Sequence, residues 1–332
     1  MTDRQLPTAP PVVILLSTRD GAAFLPEFLA SLQAQTHRDW CLCWRDDGSS
    51  DASPAIMAAF AAGEPRCCAE PATPVGPPLG APLGTPLGTP LGTPLGAGPS
   101  FLALLRAVLP RLPPGTAIAF ADQDDVWRPE KLARGIAALA GIAGPALACA
   151  RQTLVDAALR PIGASPPLGT EHRFPAALAG NVAVGCTVLL NPEAAALLAA
   201  SRPPDAFFHD WWAYALVTAA GGTCLCDPVE VILYRQHGGN LVGAARGPVR
   251  RALAALRRGP RPFTNRLRAM LDALAAQPSV LCPEAAAAVT RLRAALAGGL
   301  VPRAAALWAL RARLRRRGAI ETLLFRLWFL IG

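Results

Sequence analysis

The chain has 332 residues, 52% of them hydrophobic and 17% charged, with a formal net charge of +9. That length suits one large α/β domain with an appendage or two modest domains, and so apolar a composition excludes an intrinsically disordered chain. The charge is unevenly placed: residues 1–240 carry 15 basic and 20 acidic side chains, and residues 241–332 carry 17 Arg against Asp272, Glu284 and Glu321. An acidic body with a basic tail is not the uniform cationic surface of a nucleic-acid binder, so no nucleic-acid partner is expected.

In chain order, Val12–Ser17 is an apolar, β-branched run that reads as a buried strand entering the polar loop Thr18-Arg19-Asp20-Gly21. Phe24, Phe28, Leu29 and Leu32 then recur at helical spacing over Phe24–Gln35. Trp40–Arg45 predicts a second strand, closed by Asp46-Asp47-Gly48-Ser49-Ser50-Asp51. Ser53 before Pro54 predicts a capped helix start, with the helix over Pro54–Ala62. Residues 78–97 are five tandem tetrapeptides, PLGA or PLGT, which exclude helix and ladder strand and read as an expanded loop. Ala117–Ala121 predicts a further strand, running into Asp122-Gln123-Asp124-Asp125-Val126-Trp127, with a helix over Pro129–Ala140. This strand–loop–helix rhythm implies a largely parallel sheet with crossover helices, whose ligands gather at the carboxyl ends of the strands.

The acids fall at those ends. Asp46-Asp47 alone is an ordinary turn, but Asp122, Asp124 and Asp125 directly after a buried apolar strand are costly unless a cation fills the space between them. A divalent metal carrying phosphates is the usual occupant. Further on, Phe208-His209-Asp210-Trp211-Trp212 precedes a helical run. Asp210 reads either as a helix cap or as a general base in an apolar pocket. Tyr234-Arg235-Gln236-His237-Gly238-Gly239-Asn240 offers Arg235 as a phosphate contact and His237 as a metal ligand.

The nine cysteines include the pairs Cys41/Cys43 and Cys224/Cys226, each C-x-C within an apolar run and none C-x-x-C. On strands such pairs share a face and read as small buried hydrophobes rather than as a metal site. The start of the chain lacks an apolar leader, so a reducing cytoplasm is the expected home. No run of 18 apolar residues predicts a spanning helix. The final apolar stretch, Ile320–Ile331, follows Arg311, Arg313, Arg315, Arg316 and Arg317. It reads either as a helix lying on an anionic membrane surface or as a helix docked on the body.

VVILLSTRDG, LQAQT, DDGSSD, FADQDDVW, HDWW and LYRQHGGN occur in that order. Together they resemble the inverting family 2 glycosyltransferases of GT-A fold, and within them the bacterial rhamnosyltransferase-like branch. The resemblance runs from Pro11 to Gly243. It implies a GT-A domain, a mixed Rossmann-like α/β sheet flanked by helices, over residues 1–243, with the repeat as a loop insertion and a basic helical region over 244–332. It also implies roles. Thr18, Arg19, Asp46, Asp47, Asp122 and Arg235 would contact the nucleotide-sugar. Asp122 and Asp124 would form the D-x-D motif for Mg²⁺ or Mn²⁺, with His237 as a further metal contact. Asp210 would be the catalytic base. The implied reaction is inverting transfer of a sugar, with L-rhamnose from dTDP-rhamnose as the candidate donor, to a glycan or lipid-linked acceptor in surface-polysaccharide synthesis. The implied location is the inner face of the cytoplasmic membrane. The chain departs from the family pattern at Gly96-Ala97-Gly98-Pro99-Ser100-Phe101, where relatives carry G-x-x-x-N-F: serine replaces asparagine, directly after the repeat. A non-catalytic nucleotide-sugar binder would lack one of Asp122, Asp124 or Asp210, and a nucleotidyltransferase would need the glycines that STRDGAAF lacks.

Overall fold

The computed structural model describes residues 9–69, 94–238, 257 and 259–332. Most of the repeat and Gly239-Asn240 lie outside the described residues. The strands are β1 (Val12–Thr18), β2 (Trp40–Asp46), β3 (Cys67–Ala69), β4 (Ala117–Ala121), β5 (Val126–Trp127), β6 (Ala146–Val155), β7 (Pro161–Ala164), β8 (Leu189–Leu190) and β9 (Thr223–Arg235). They form one sheet in the order β3-β2-β1-β4-β8-β6-β9-β5, with β7 paired to β6. β1 pairs in parallel with β2 and β4, and β6 with β9, while β8 runs antiparallel between β4 and β6. The long β6–β9 ladder therefore points the same way as β1, β2 and β4, and all five deliver their carboxyl ends to one edge.

Alternation along β1 divides the core. Val12, Ile14 and Leu16 face one layer with Leu25, Phe28 and Leu32 from α1 (Leu25–Gln33), and with Leu132 and Ile136 from α4 (Lys131–Leu139). α2 (Ser53–Gly63) adds Met57 to that layer. Val13 and Leu15 face the other layer, packed by α3 (Ala97–Val108), the short α5 (Ala176–Ala179), α6 (Pro192–Ala200) and α7 (His209–Ala219). That second layer continues into the basic region, where α8 (Arg261–Ala275) and α9 (Pro283–Ala297) contribute Leu267, Leu271, Leu274 and Leu292. The carboxyl-terminal helices thus share the body's core.

α10 (Leu300–Ala309) and α11 (Ala319–Ile331) close the chain. α11 is apolar on both sides, and one of them docks on the body as the second reading of the tail expects. Phe325, Trp328 and Phe329 are buried, with Phe263 of α8 edge-on to Phe325. On the opposite face Ile320, Leu323, Leu327 and Ile331 are 44–70% exposed, and Trp308 of α10 is exposed as well. Among the described residues no helix is long and apolar enough to cross a membrane.

Ser53 differs from its expected role. The helix cap is Ala52, and the Ser53 hydroxyl instead donates to Asp51 and accepts from the Gly21 N–H. The serine therefore ties the two loops at the sheet edge together.

Candidate active site

Three loops meet at the carboxyl edge, and their side chains interlock. Asp46, at the end of β2, accepts from the backbone N–H groups of Gly48 and Ser49 and from the hydroxyls of Ser49 and Thr18. Asp47 is 3% exposed and accepts from Leu95 N (2.8 Å) and Gly96 N (2.9 Å), just ahead of α3. Its carboxylate holds the far end of the repeat insertion. Ser100, at the position where the resemblance expects asparagine, shares a 2.7 Å hydrogen bond with Ser17 of β1. Arg19 is exposed, but its main chain is fixed: Gln123 accepts from Arg19 N at 2.9 Å and donates to Arg19 O at 2.7 Å. A Cβ on Gly21 would sit 2.2 Å from the Gln123 Oε1, so only glycine leaves room for this clasp.

The acids after β4 occupy distinct environments. Asp122 is half-buried, and desolvation with the neighbouring Asp124 and Asp210 carboxylates pushes it up to about 7. Asp124 meets His237 Nε2 at 2.9 Å, and Phe24 packs on the imidazole at 4.5 Å between ring centroids. Asp125 is fully buried and accepts from Arg235 N, and burial holds it well above the usual carboxylate range. Behind it lies the buried Lys131, its Nζ 3.3 Å from the Trp127 ring centroid and its pKa brought down to about 7 by burial.

Asp210 stands across from this cluster in the first turn of α7. Its Oδ2 accepts from Asn181 Nδ2 (2.9 Å) and Gly185 N (3.0 Å), and its Oδ1 accepts from Trp211 N (2.6 Å). These donors favour the ionised form, yet burial outweighs them and raises the carboxyl to about 6. The helix cap is Phe208, so Asp210 is not the cap. Beside it His209 is wedged between Phe101 and Phe120, and burial depresses it to about 3, which keeps its imidazole neutral.

The structure therefore sets Asp124 against His237 with Asp122 and Asp210 close by, and Arg19 and Asp46 on the β1–β2 side. Thr18 and Asp47, expected as nucleotide contacts, are instead buried: the Thr18 hydroxyl donates to Asp46 and Arg45 O, and Asp47 is taken up by Leu95 N and Gly96 N. Arg235 differs as well. It is 1% exposed, and its guanidinium donates to Asp124 O, Ala157 O and the Glu27 carboxylate while lying over the Phe24 ring. In place of the expected phosphate contact it is a buried clamp joining α1, the acidic loop and β9. Sequence reasoning passed over Gln123, Asn181, Gly185 and Gln35. Gln35 lies within the LQAQT motif and is fully buried, with its carboxamide donating to Arg128 O and accepting from Leu132 N. It locks α1 to the start of α4.

An oxygen-rich set with one imidazole, two of whose carboxylates repel one another, has the chemistry of a Mg²⁺ or Mn²⁺ site. Asp122, Asp124 and His237 would hold the ion.

The S. aureus TarS 1–349 structure in complex with UDP-GlcNAc superposes with a TM-score of 0.54 at 12% identity, over 86% of this chain and 71% of that one. A second S. aureus TarS 1–349 structure gives 0.51 at 12% identity over 95% and 89%. The chain has the GT-A glycosyltransferase fold. No protein-family model matches the sequence, and no curated protein matches it significantly.

Proposed function

We propose that the protein is a metal-dependent inverting glycosyltransferase that uses a nucleoside-diphosphate sugar as donor. The observation that carries this reading is the placement of Asp210, a carboxylate raised to about 6, opposite the Asp122/Asp124/His237 set at the carboxyl edge of a GT-A sheet. TarS of the same fold is seen with UDP-GlcNAc, which supports a nucleotide-sugar donor.

Asp210 accepts the proton of an acceptor hydroxyl. The oxygen attacks the anomeric carbon, the bond from that carbon to the diphosphate oxygen breaks on the opposite face, and one displacement inverts the centre. Asn181 and the Gly185 and Trp211 N–H groups hold the carboxylate in place, and burial keeps it basic enough to act near neutral pH. Arg19 and Asp46 would border the nucleoside side of the site. A divalent cation bound by Asp122, Asp124 and His237 would neutralise charge developing on the leaving diphosphate.

The exposed row on α11 with Trp308, next to an arginine-rich segment, supports a lipid-linked acceptor and peripheral attachment to an anionic membrane. A deoxyhexose such as L-rhamnose is the donor sugar the motif set favours. The deciding experiment is a donor screen read by nucleoside-diphosphate release with Mg²⁺ and with Mn²⁺. Release that needs an acceptor and disappears in Asp210→Asn supports the reading. Donor binding without release for any sugar and acceptor would make the protein a non-catalytic binder.

A further inference from the structure

Two adjacent parallel strands bring three thiols to one point. The β6–β9 register pairs Cys149 with Cys226 and Leu147 with Cys224, so the side chains of Cys149, Cys224 and Cys226 share one face of the sheet. Their Sγ atoms all lie within 4.8 Å of one another, with Cys149 and Cys226 3.4 Å apart. Bonds of ~2.3 Å at a tetrahedral centre would set sulfur pairs about 3.8 Å apart, so the trio is close to the spacing a zinc ion imposes.

A fourth donor stands beside them. His172, in the segment covering this face, places Nε2 3.1 Å from Gly169 O. Its Nδ1 is shielded from solvent, and the Cys226 thiol is near enough to act on the ring. A ring nitrogen fixed by a backbone carbonyl, with the other left to coordinate, is the usual arrangement of a metal-bound histidine. Three thiolates and one neutral imidazole around zinc(II) would leave a net charge of −1.

We propose that Cys149, Cys224, Cys226 and His172 bind a structural zinc(II) ion that fastens the segment around His172 to the β6–β9 ladder. The proposal is independent of the glycosyl-transfer reading, because none of these four residues lines the acidic cleft. A second trio, Cys41, Cys43 and Cys68, lies on β2 and β3 with Cys43 and Cys68 Sγ 3.0 Å apart. Among the described residues no histidine accompanies it, and it serves as an internal control.

The test uses the full chain purified under reducing conditions and washed with excess Mg²⁺ to displace cations held by oxygen ligands. Elemental analysis is expected to find about one zinc per chain. Cobalt(II) loaded in its place should show thiolate-to-metal charge-transfer absorption, which oxygen ligands do not give. Cys226→Ser and Cys149→Ser should lose the ion, Cys41→Ser/Cys43→Ser should keep it, and His172→Ala should bind zinc about 10–100-fold more weakly. Wild-type protein with neither zinc nor a thiolate–cobalt band would overturn the proposal, whatever the variants do. So would zinc that survives Cys226→Ser and vanishes in Cys41→Ser/Cys43→Ser.

Discussion

Replacing Asp210 by Asn tests the chemistry at its centre. The substitution keeps the shape of the side chain and one acceptor oxygen but removes the proton acceptor. Loss of a general base lowers turnover by about 10²–10⁴-fold, or roughly 3–5 kcal/mol in the barrier. Donor affinity should stay within about 3-fold, since uniform binding is untouched. Stability should change little, because two effects oppose. Burial raises the Asp210 pKa from 3.8 to about 6, so at pH 7 its ionised form costs the folded state on the order of 2–3 kcal/mol after allowance for partial exposure. The variant escapes that cost but weakens the hydrogen bonds from Trp211 N and Asn181. The sign for the wild type follows: a carboxyl raised on folding stabilises below its unfolded pKa, and that contribution is lost as pH rises through about 6. Activity runs the other way. Nucleoside-diphosphate release at saturating Mn²⁺, where the cation keeps Asp122 ionised, should fall as pH drops through about 6, leaving about a tenth of the plateau at pH 5. A variant retaining more than about a tenth of wild-type turnover, or a wild-type profile flat between about pH 5 and 7, would remove Asp210 from the base role.

Asp124→Ala breaks the pair with His237 and should weaken donor binding by about 10-fold or more in Mn²⁺ but hardly at all in EDTA; calorimetric affinities that agree with and without metal would sink the metal site. Gly21→Ala should cost about 1–3 kcal/mol in chemical unfolding, because its Cβ displaces the Gln123 carboxamide from both Arg19 hydrogen bonds. Combined with Gln123→Ala the loss should be less than additive, and strict additivity would mean the clasp does not couple the loops. Leu323→Ser with Leu327→Ser changes only the exposed face of α11, so thermal stability should hold while co-sedimentation with phosphatidylserine vesicles drops several-fold. Unchanged partition would leave that face without a role at membranes.

The strands β1, β2 and β4 and the helices after them were legible because each is a single run whose periodicity is set by burial on one face or two. The acids at their ends were legible for a different reason: charge directly after a buried strand is costly without a ligand. What escaped depends on pairing between distant segments. β6 and β9 form the longest ladder in the sheet, yet neither shows a turn signal or a clean alternation. Their register decides where Cys149 meets Cys226, and the β5–β9 pairing brings His237 to Asp124. Arg235 was misread because an arginine beside a histidine at a strand end suggests a phosphate. No local feature shows that its guanidinium is already satisfied by Asp124 O, Ala157 O and Glu27. Gln123 and Gln35 carry no such charge signal and acquire meaning only from the backbones they bridge.

The Asp47 clamp on Leu95 and Gly96 has a bearing on how this sequence can change over time. A run of near-identical four-residue units is prone to gain or lose a copy when it is replicated. Here the tract rejoins the body at a point fixed from the β2 side, ahead of the helix that carries Ser100 and Phe101 toward the cleft. The phase of α3 is therefore set by Asp47 and not by how many units precede it. That anchor predicts that a gain or loss of one unit leaves the start of α3 in place. A change at Asp47 would end that tolerance and make every later slip in copy number felt at the site.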